Sequence, residues 1–315
     1  MQHPATPPLT PGDIKAAAER IAGHVRPVTV APADGHTVLA LEFMQHTGSF
    51  KARGAMNFLL AHREAGLLPE AGLTLASGGN AGLACAWAAR AHGVRATVFL
   101  PGTAPPVKVA RLRSYGAEVR LVGTRYDEAR AACAEFASAS GALASASGAL
   151  ASHAYDHPLI AAGAGTLTEE ILRRVPEGLD TLVVSVGGGG LFAGVATAAL
   201  EAGVEVVAVE PENCRALNAA LAAGRVVDAA VDSVAADSLG ATRVSETALA
   251  VARRPGVRSV LVPDAAIVRA RQQLWDERRL AVEHAAATAC AYTPEPGERA
   301  AIVLCGANTG LGDLA

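Results

Sequence analysis

Two glycine-rich turns limit what this chain can fold into. Ser77-Gly-Gly-Asn-Ala-Gly82 follows an apolar run at 73–77 and precedes a helical pattern at 83–92. Gly187-Gly-Gly-Gly190 follows a second apolar run at 181–186 and precedes a helical pattern at 191–201. Around them, strands are expected at 96–100, 118–122, 205–210, 257–262 and 301–304. Helices are expected at 106–115, 126–137, 165–174, 216–223, 245–253 and 265–277. Strands that alternate with helices of this length build a parallel sheet covered on both faces. The class is therefore α/β, and residues 72–148 read as one small α/β domain. Before them, Thr10 caps a helix with Pro11 in its first turn and Asp13 near its dipole. Short strands at 28–30 and 37–42 flank a turn at Ala33-Asp34-Gly35. A seven-residue duplication, 138–144 repeated at 145–151, reads as a loop near a domain boundary.

Composition narrows the function. The chain has 315 residues, 51% hydrophobic and 18% charged, enough for a large core in one or two packed domains. A net charge of −3 without a basic tract argues against nucleic acid or an anionic membrane as partner. The uncharged run at 182–200 has a membrane-like length, but the four glycines inside it would break a spanning helix. No signal peptide is expected at the N-terminus, which lacks a basic and then apolar opening. Five scattered cysteines without CxxC spacing fit a reducing, cytoplasmic setting better than a disulfide framework or zinc site.

Four stretches can carry chemistry. Gly187 to Gly190 can turn several N–H groups toward one anion, with a helix dipole behind them, and so reads as a phosphate cradle. The same stretch fits G-x-G-x-x-A through Ala193, and Glu210 ends the next expected strand. That pattern also suits a dinucleotide with its ribose on the acid, as in a nicotinamide-dependent oxidoreductase. The Ser77–Gly82 turn offers N–H groups, a hydroxyl and an amide suited to a small carboxylate. Lys51, in Thr47-Gly-Ser-Phe-Lys-Ala-Arg-Gly54, is one of only three lysines, with Lys15 and Lys108, among 27 basic residues. A lysine at a helix start beside Phe50 can lose its proton and condense with an aldehyde, which arginine cannot do. Cys305, after the last strand, sits where α/β sheets bind ligands. Glu283 reads as part of a solvated face.

Taken together, Ser49-Phe-Lys-Ala-Arg-Gly-Ala55, Ser77-Gly-Gly-Asn-Ala-Gly82 and Gly187-Gly-Gly-Gly-Leu191 resemble the serine/threonine dehydratase family of fold type II pyridoxal-phosphate enzymes. The loop motifs are most like those of the liver-type serine dehydratases. Pro105-Pro-Val-Lys-Val, Tyr115-Gly-Ala-Glu-Val, Tyr155-Asp-His-Pro, Ala162-Gly-Ala-Gly-Thr, Val209-Glu-Pro211 and Ala236-Asp-Ser-Leu-Gly240 extend the resemblance along most of the chain.

The resemblance implies a tryptophan-synthase-β-like fold of two three-layer α/β domains with parallel sheets and pyridoxal 5'-phosphate in the cleft between them. The large, cofactor-binding domain would take 1–71 and 149–315, and the small, substrate-loop domain 72–148. Lys51 would bond covalently to the cofactor's aldehyde and later move the Cα proton. Phe50 would pack on the ring, Asn80 would bond its 3'-oxygen, Gly187, Gly188, Gly189, Gly190 and Leu191 would hold the phosphate, and Cys305 would meet the ring nitrogen. Ser77, Gly78, Gly79, Asn80 and Ala81 would bind the substrate carboxylate. The implied reaction is β-elimination from L-serine or L-threonine, giving pyruvate or 2-oxobutyrate plus ammonia. Alternatives within the family are 3-hydroxyaspartate as substrate, or racemisation of serine. Racemases carry a serine where this chain has Gly78. A cation site would involve Glu210, Cys214, Leu239 and Ala241, for a monovalent ion, since Ala216 replaces the acid expected of a divalent site. A homodimer is implied, and no isoleucine-sensing domain is expected after Ala315.

Overall fold

The computed structural model describes residues 8–138, 148–312 and 314. Most of the duplication at 138–151 lies outside the described residues, as does the start of the expected N-terminal tail. The chain runs α1 (Pro11–Ile21), β1 (Val30–Pro32), β2 (Thr37–Ala40), two short 3₁₀ turns, α2 (Lys51–Glu64), β3 (Leu73–Leu75), α3 (Asn80–Ala91), β4 (Ala96–Leu100), α4 (Pro106–Ser114), β5 (Glu118–Leu121), α5 (Tyr126–Ser138) and β6 (Leu150–Ala151). It continues through α6 (Pro158–Arg174), β7 (Thr181–Ser185), α7 (Gly190–Glu201), β8 (Glu205–Pro211), α8 (Ala216–Ala223), α9 (Ala236–Leu239), α10 (Glu246–Ala252), β9 (Val257–Val262), α11 (Asp264–Arg278), α12 (His284–Cys290) and β10 (Ala300–Val303).

Two sheets result. The larger has the order β1-β2-β10-β7-β8-β9 and the smaller β5-β4-β3-β6. All neighbours pair in parallel except β1, which runs antiparallel to β2 at the edge. Every residue of β4 and β7 is buried, which is why their sequences are unbroken apolar or small runs and do not alternate.

Three local expectations need correction. The first strand is Val30–Pro32, not 28–30. The Asp34-Gly35 turn, closed by Thr37 N–H to the Asp34 carbonyl at 3.0 Å, starts the pairing at Ala33, so Val28 drops into the core. The helix expected at 165–174 begins seven residues earlier, at Pro158, with His157 accepting the Leu159 N–H at 3.1 Å. Its glycines do not break it, because it lies against two other helices at backbone contact. A Cβ on Gly163 would stand 2.7 Å from the Arg53 carbonyl oxygen of α2, and one on Gly194 of α7 would stand 2.1 Å from the Ala161 carbonyl oxygen. α12 and β6 were not expected, being too short to show a period.

α2 links the two sheets. Its Met56, Phe58 and Leu59 pack into the core of the smaller sheet. Its Arg53, fully buried, pairs with Glu42 at 2.7 Å and with Glu170 of α6 at 2.7 Å.

Candidate active site

Lys51 is the first residue of α2. The segment before it is tied to the end of β10: the Phe50 N–H donates to the Cys305 carbonyl at 2.9 Å, and Ser49 bridges Gly306. The Lys51 amine lies 4.7 Å from the Phe50 ring centre and donates to the Ala154 carbonyl at 2.7 Å. Burial lowers its pKa to about 8, against the opposing influence of Cys305 and Glu283. A useful fraction of the amine is therefore neutral near physiological pH.

The Gly187–Gly190 turn joins β7 to α7, with Gly189 at φ +93°. Its walls leave no room for side chains. A Cβ on Gly188 would be 2.3 Å from the Tyr155 ring, and one on Gly189 would be 2.4 Å from the Ala248 methyl. A cradle this bare presents main-chain N–H groups and little else, which fits a phosphate. Leu191 follows it and lines the same cleft.

The Ser77–Ala81 turn leads from β3 into α3. The Ser77 hydroxyl accepts the Gly79 N–H at 3.3 Å. A Cβ on Gly82 would stand 1.9 Å from the Ser77 carbonyl oxygen, so the last glycine of the motif sets the loop's closure. Asn80 donates to both oxygens of Glu283 at 2.9 Å. Glu283 is not on a solvated face, as its sequence context predicts. It is 7% exposed, and burial raises its pKa.

Lys51, Phe50, the glycine cradle, Ser77–Ala81 and Cys305 line one cleft of about 350 Å³, within the usual range of small-molecule sites, roughly 300–1,000 Å³. Tyr155, Glu283 and the 236–241 segment complete its wall. The sequence assigned Tyr155 and Glu283 no role, although Tyr155 lies in a stretch that carries the family resemblance; within 236–241 only Leu239 and Ala241 were given one, as cation residues. Cys305 stays a neutral thiol, its pKa pushed up to about 12 by burial, with Ser185 Oγ 3.6 Å from its sulfur.

The proposed cation residues divide. Leu239 and Ala241 line the cleft, and Glu210 and Cys214 are buried beside it. Glu210 accepts the N–H groups of Leu217 and Asn218 at 2.7 and 2.8 Å, at the start of α8, and burial raises its pKa to about 7. The Leu239 carbonyl accepts from the Cys214 thiol at 3.6 Å and from Ala241 N–H at 2.9 Å. The same burial removes Glu210 from the ribose-binding role that a dinucleotide site would give it.

A bare anion cradle, an amine of lowered pKa and a carboxylate-sized loop meet in one cleft beside sheets that are parallel apart from the edge strand β1, an arrangement that fits a phosphorylated aldehyde cofactor. Residues 25–306 match the family model for pyridoxal-phosphate dependent enzymes, and the chain belongs to that family. It is 39% identical over 258 residues to a human protein named serine dehydratase-like, covering 80% of this chain and 75% of that one. It is 36% identical over 248 residues to the L-threonine ammonia-lyase of Geobacter sulfurreducens, covering 78% of this chain and 59% of the relative. The structure of maize serine racemase superposes with a TM-score of 0.85 at 27% identity, over 98% of this chain and 96% of that one.

Proposed function

We propose that the protein is a pyridoxal-phosphate-dependent ammonia-lyase that eliminates the β-hydroxyl of L-serine or L-threonine as water and, after water is taken up again in hydrolysis of the resulting imine, releases ammonia and the 2-oxo acid. The observation that carries this reading is the meeting of Lys51, the Gly187–Gly190 cradle and the Ser77–Ala81 loop in one cleft. When bound, the cofactor supplies an aldehyde for the substrate's amine and a conjugated ring that draws electrons from Cα. The cradle N–H groups would hold the phosphate, and Ser77 with the N–H groups of 78–81 would hold the substrate carboxylate. Lys51 Nζ takes the Cα proton. Cys305, neutral through burial, would meet the ring nitrogen as a weak partner that leaves it unprotonated, and such a ring would favour loss of the β-hydroxyl. Hydrolysis then gives pyruvate or 2-oxobutyrate and ammonia.

Loaded enzyme is expected to show a visible absorption band that borohydride bleaches, and to form the 2-oxo acid. Lys51→Ala is expected to abolish both; wild-type turnover by that variant would overturn the assignment. Racemisation is the weaker reading, because Gly78 has no side chain to act on the second face of Cα.

The division into a lobe at 72–148 and one formed by 1–71 and 149–315 belongs to the proposal, with β6 extending the smaller sheet to Ala151. A monovalent cation would have to share Glu210 with α8, and replacing potassium by a large organic cation in the assay tests for one. The five cysteines are all free, which suits a cytoplasmic setting, and among the described residues no helix is long and apolar enough to cross a membrane. A redox-sensitive reporter fused to the chain tests the compartment. The homodimer rests on the family resemblance, and sedimentation equilibrium checks it.

A further inference from the structure

Asn308 lies just past the strand end that carries Cys305, and no step of the reaction proposed above uses it. Its side chain nevertheless joins three parts of the cleft. Its amide nitrogen donates to the Thr47 carbonyl at 2.7 Å and to Asn80 Oδ1 at 2.6 Å. Its amide oxygen accepts from the Arg111 guanidinium of α4. Its main-chain N–H donates to Glu283 Oε1 at 2.8 Å.

The chemistry of the outer groups leaves this network one orientation. Arginine only donates and a carbonyl only accepts, so Asn308 must turn its oxygen to Arg111 and its nitrogen to Thr47. The second hydrogen of that nitrogen then requires Asn80 to present its oxygen. Asn80 must in turn aim its own nitrogen at Glu283, as it does. Donation therefore runs in one direction, Arg111 to Asn308 to Asn80 to Glu283, and the rotamer of Asn80 is set by Asn308.

The other arm reaches the lysine. Thr47 sits at φ 63°, a left-handed backbone that a β-branched residue rarely adopts. The adjoining Gly48 is also left-handed, and a Cβ there would stand 2.8 Å from Asn308 Oδ1. The Asn308 amide and the Ala307 N–H, which donates to the Gly48 carbonyl at 2.9 Å, hold this turn three residues before Lys51.

We infer that Asn308 is a positioning residue that sets Asn80 and the Lys51 turn together, so that the substrate loop and the lysine are in register before substrate arrives. This deepens the function proposed above and rests on it. The test is a double-mutant cycle of Asn80→Ala and Asn308→Ala, each variant purified as holoenzyme. It is read in kcat and KM for L-serine and L-threonine. It is read again in the affinity for pyridoxal 5'-phosphate, by absorbance titration after the cofactor is stripped, which needs no turnover. Asn308→Ala is expected to lower kcat at least tenfold and to move KM less than threefold. The double variant is expected to fall within about twofold of the worse single variant in both readouts. Losses that multiply would overturn the proposal. If the wild type fails to eliminate, the functional reading falls, and the affinity cycle still judges Asn308.

Should Asn308→Ala fold poorly, Asn308→Asp removes the two amide donors at nearly constant volume. It is expected to show the same loss of kcat; a wild-type kcat would overturn the proposal. Adding Thr47→Gly to Asn308→Ala relieves the left-handed turn and is expected to raise the thermal midpoint without restoring kcat. Restored kcat would reduce Asn308 to a prop for the turn and overturn its role toward Asn80.

Discussion

At the scale of single residues, the chemistry turns on how burial acts on charge. Removing Lys51 from water disfavours its ammonium and brings its pKa to about 8. Below that value each pH unit cuts the neutral amine about tenfold. The rate at which stripped protein captures added cofactor is therefore expected to rise tenfold per unit up to about pH 8 and then level off. Stopped-flow absorbance measures this; a rise continuing unchanged to about pH 10 would mean an ordinary lysine. Gly78 tests the other face of the substrate. A Cβ there would lie 3.0 Å from a methyl of Leu100. That methyl ends a flexible side chain, so Gly78→Ser is expected to fold after a small shift of Leu100. It is also expected to convert some L-serine to D-serine, which chiral chromatography of residual substrate detects; no D-serine above the wild-type level would refute this.

At the scale of elements, α6 is the part read least well from sequence, and packing explains why. Its glycines lower helix propensity, by about 1 kcal/mol each relative to alanine. They stay because α2, α6 and α7 touch backbone to backbone. Gly194→Ala would gain that propensity and place a methyl 2.1 Å from the Ala161 carbonyl oxygen and 2.6 Å from the Gly165 nitrogen. Overpacking of this kind costs about 1–3 kcal/mol or more, so packing wins over propensity. The variant is expected to melt several degrees below wild type by calorimetry; an unchanged or higher midpoint would show that the helices can separate freely. α1 is the opposite case. Its capping box, with Asp13 Oδ2 accepting the Thr10 N–H at 2.9 Å and Thr10 Oγ1 accepting the Asp13 N–H at 3.2 Å, is wholly local; the Thr10 cap was readable from sequence, which placed Asp13 only near the dipole.

At the scale of the whole molecule, an exposed ion pair across the cleft and the buried pairs of Arg53 differ sharply in weight. Lys108 on α4 meets Asp237 on α9 at 2.7 Å, with side chains 38% and 80% exposed. An exposed pair is worth about 0–1 kcal/mol, so Asp237→Asn is expected to leave the thermal midpoint nearly unchanged. Arg53 has no exposed side-chain surface and satisfies both Glu42 and Glu170. Arg53→Met strands the buried Glu42 carboxylate and leaves the half-buried Glu170 unpaired, and is expected to cost about 3–5 kcal/mol. Denaturant unfolding of the two variants side by side checks the contrast, and equal losses would contradict it.

The α/β class, the alternation, the two glycine turns and the scarce lysine ahead of them were legible because each is a local pattern. An apolar run, a missing Cβ or a scarce residue type shows itself without knowledge of what lies across the fold. Glu283 shows the limit. Its neighbours in the chain suggest a wet surface, but Asn80, 203 residues away, and Asn308 close over it. Arg53 and Tyr155 were hidden for the same reason, since their partners come from α6, from Glu42 and from the cradle. By itself the sequence determined an α/β chain with two strand-to-helix turns that bare main-chain N–H groups and one scarce lysine at a helix start. Only the tertiary structure decided which buried charges are paired, which rotamer Asn80 takes and how near neutral Lys51 stands. Those quantities depend on desolvation and on donor–acceptor geometry between residues far apart in the chain, and neither exists until the chain has closed.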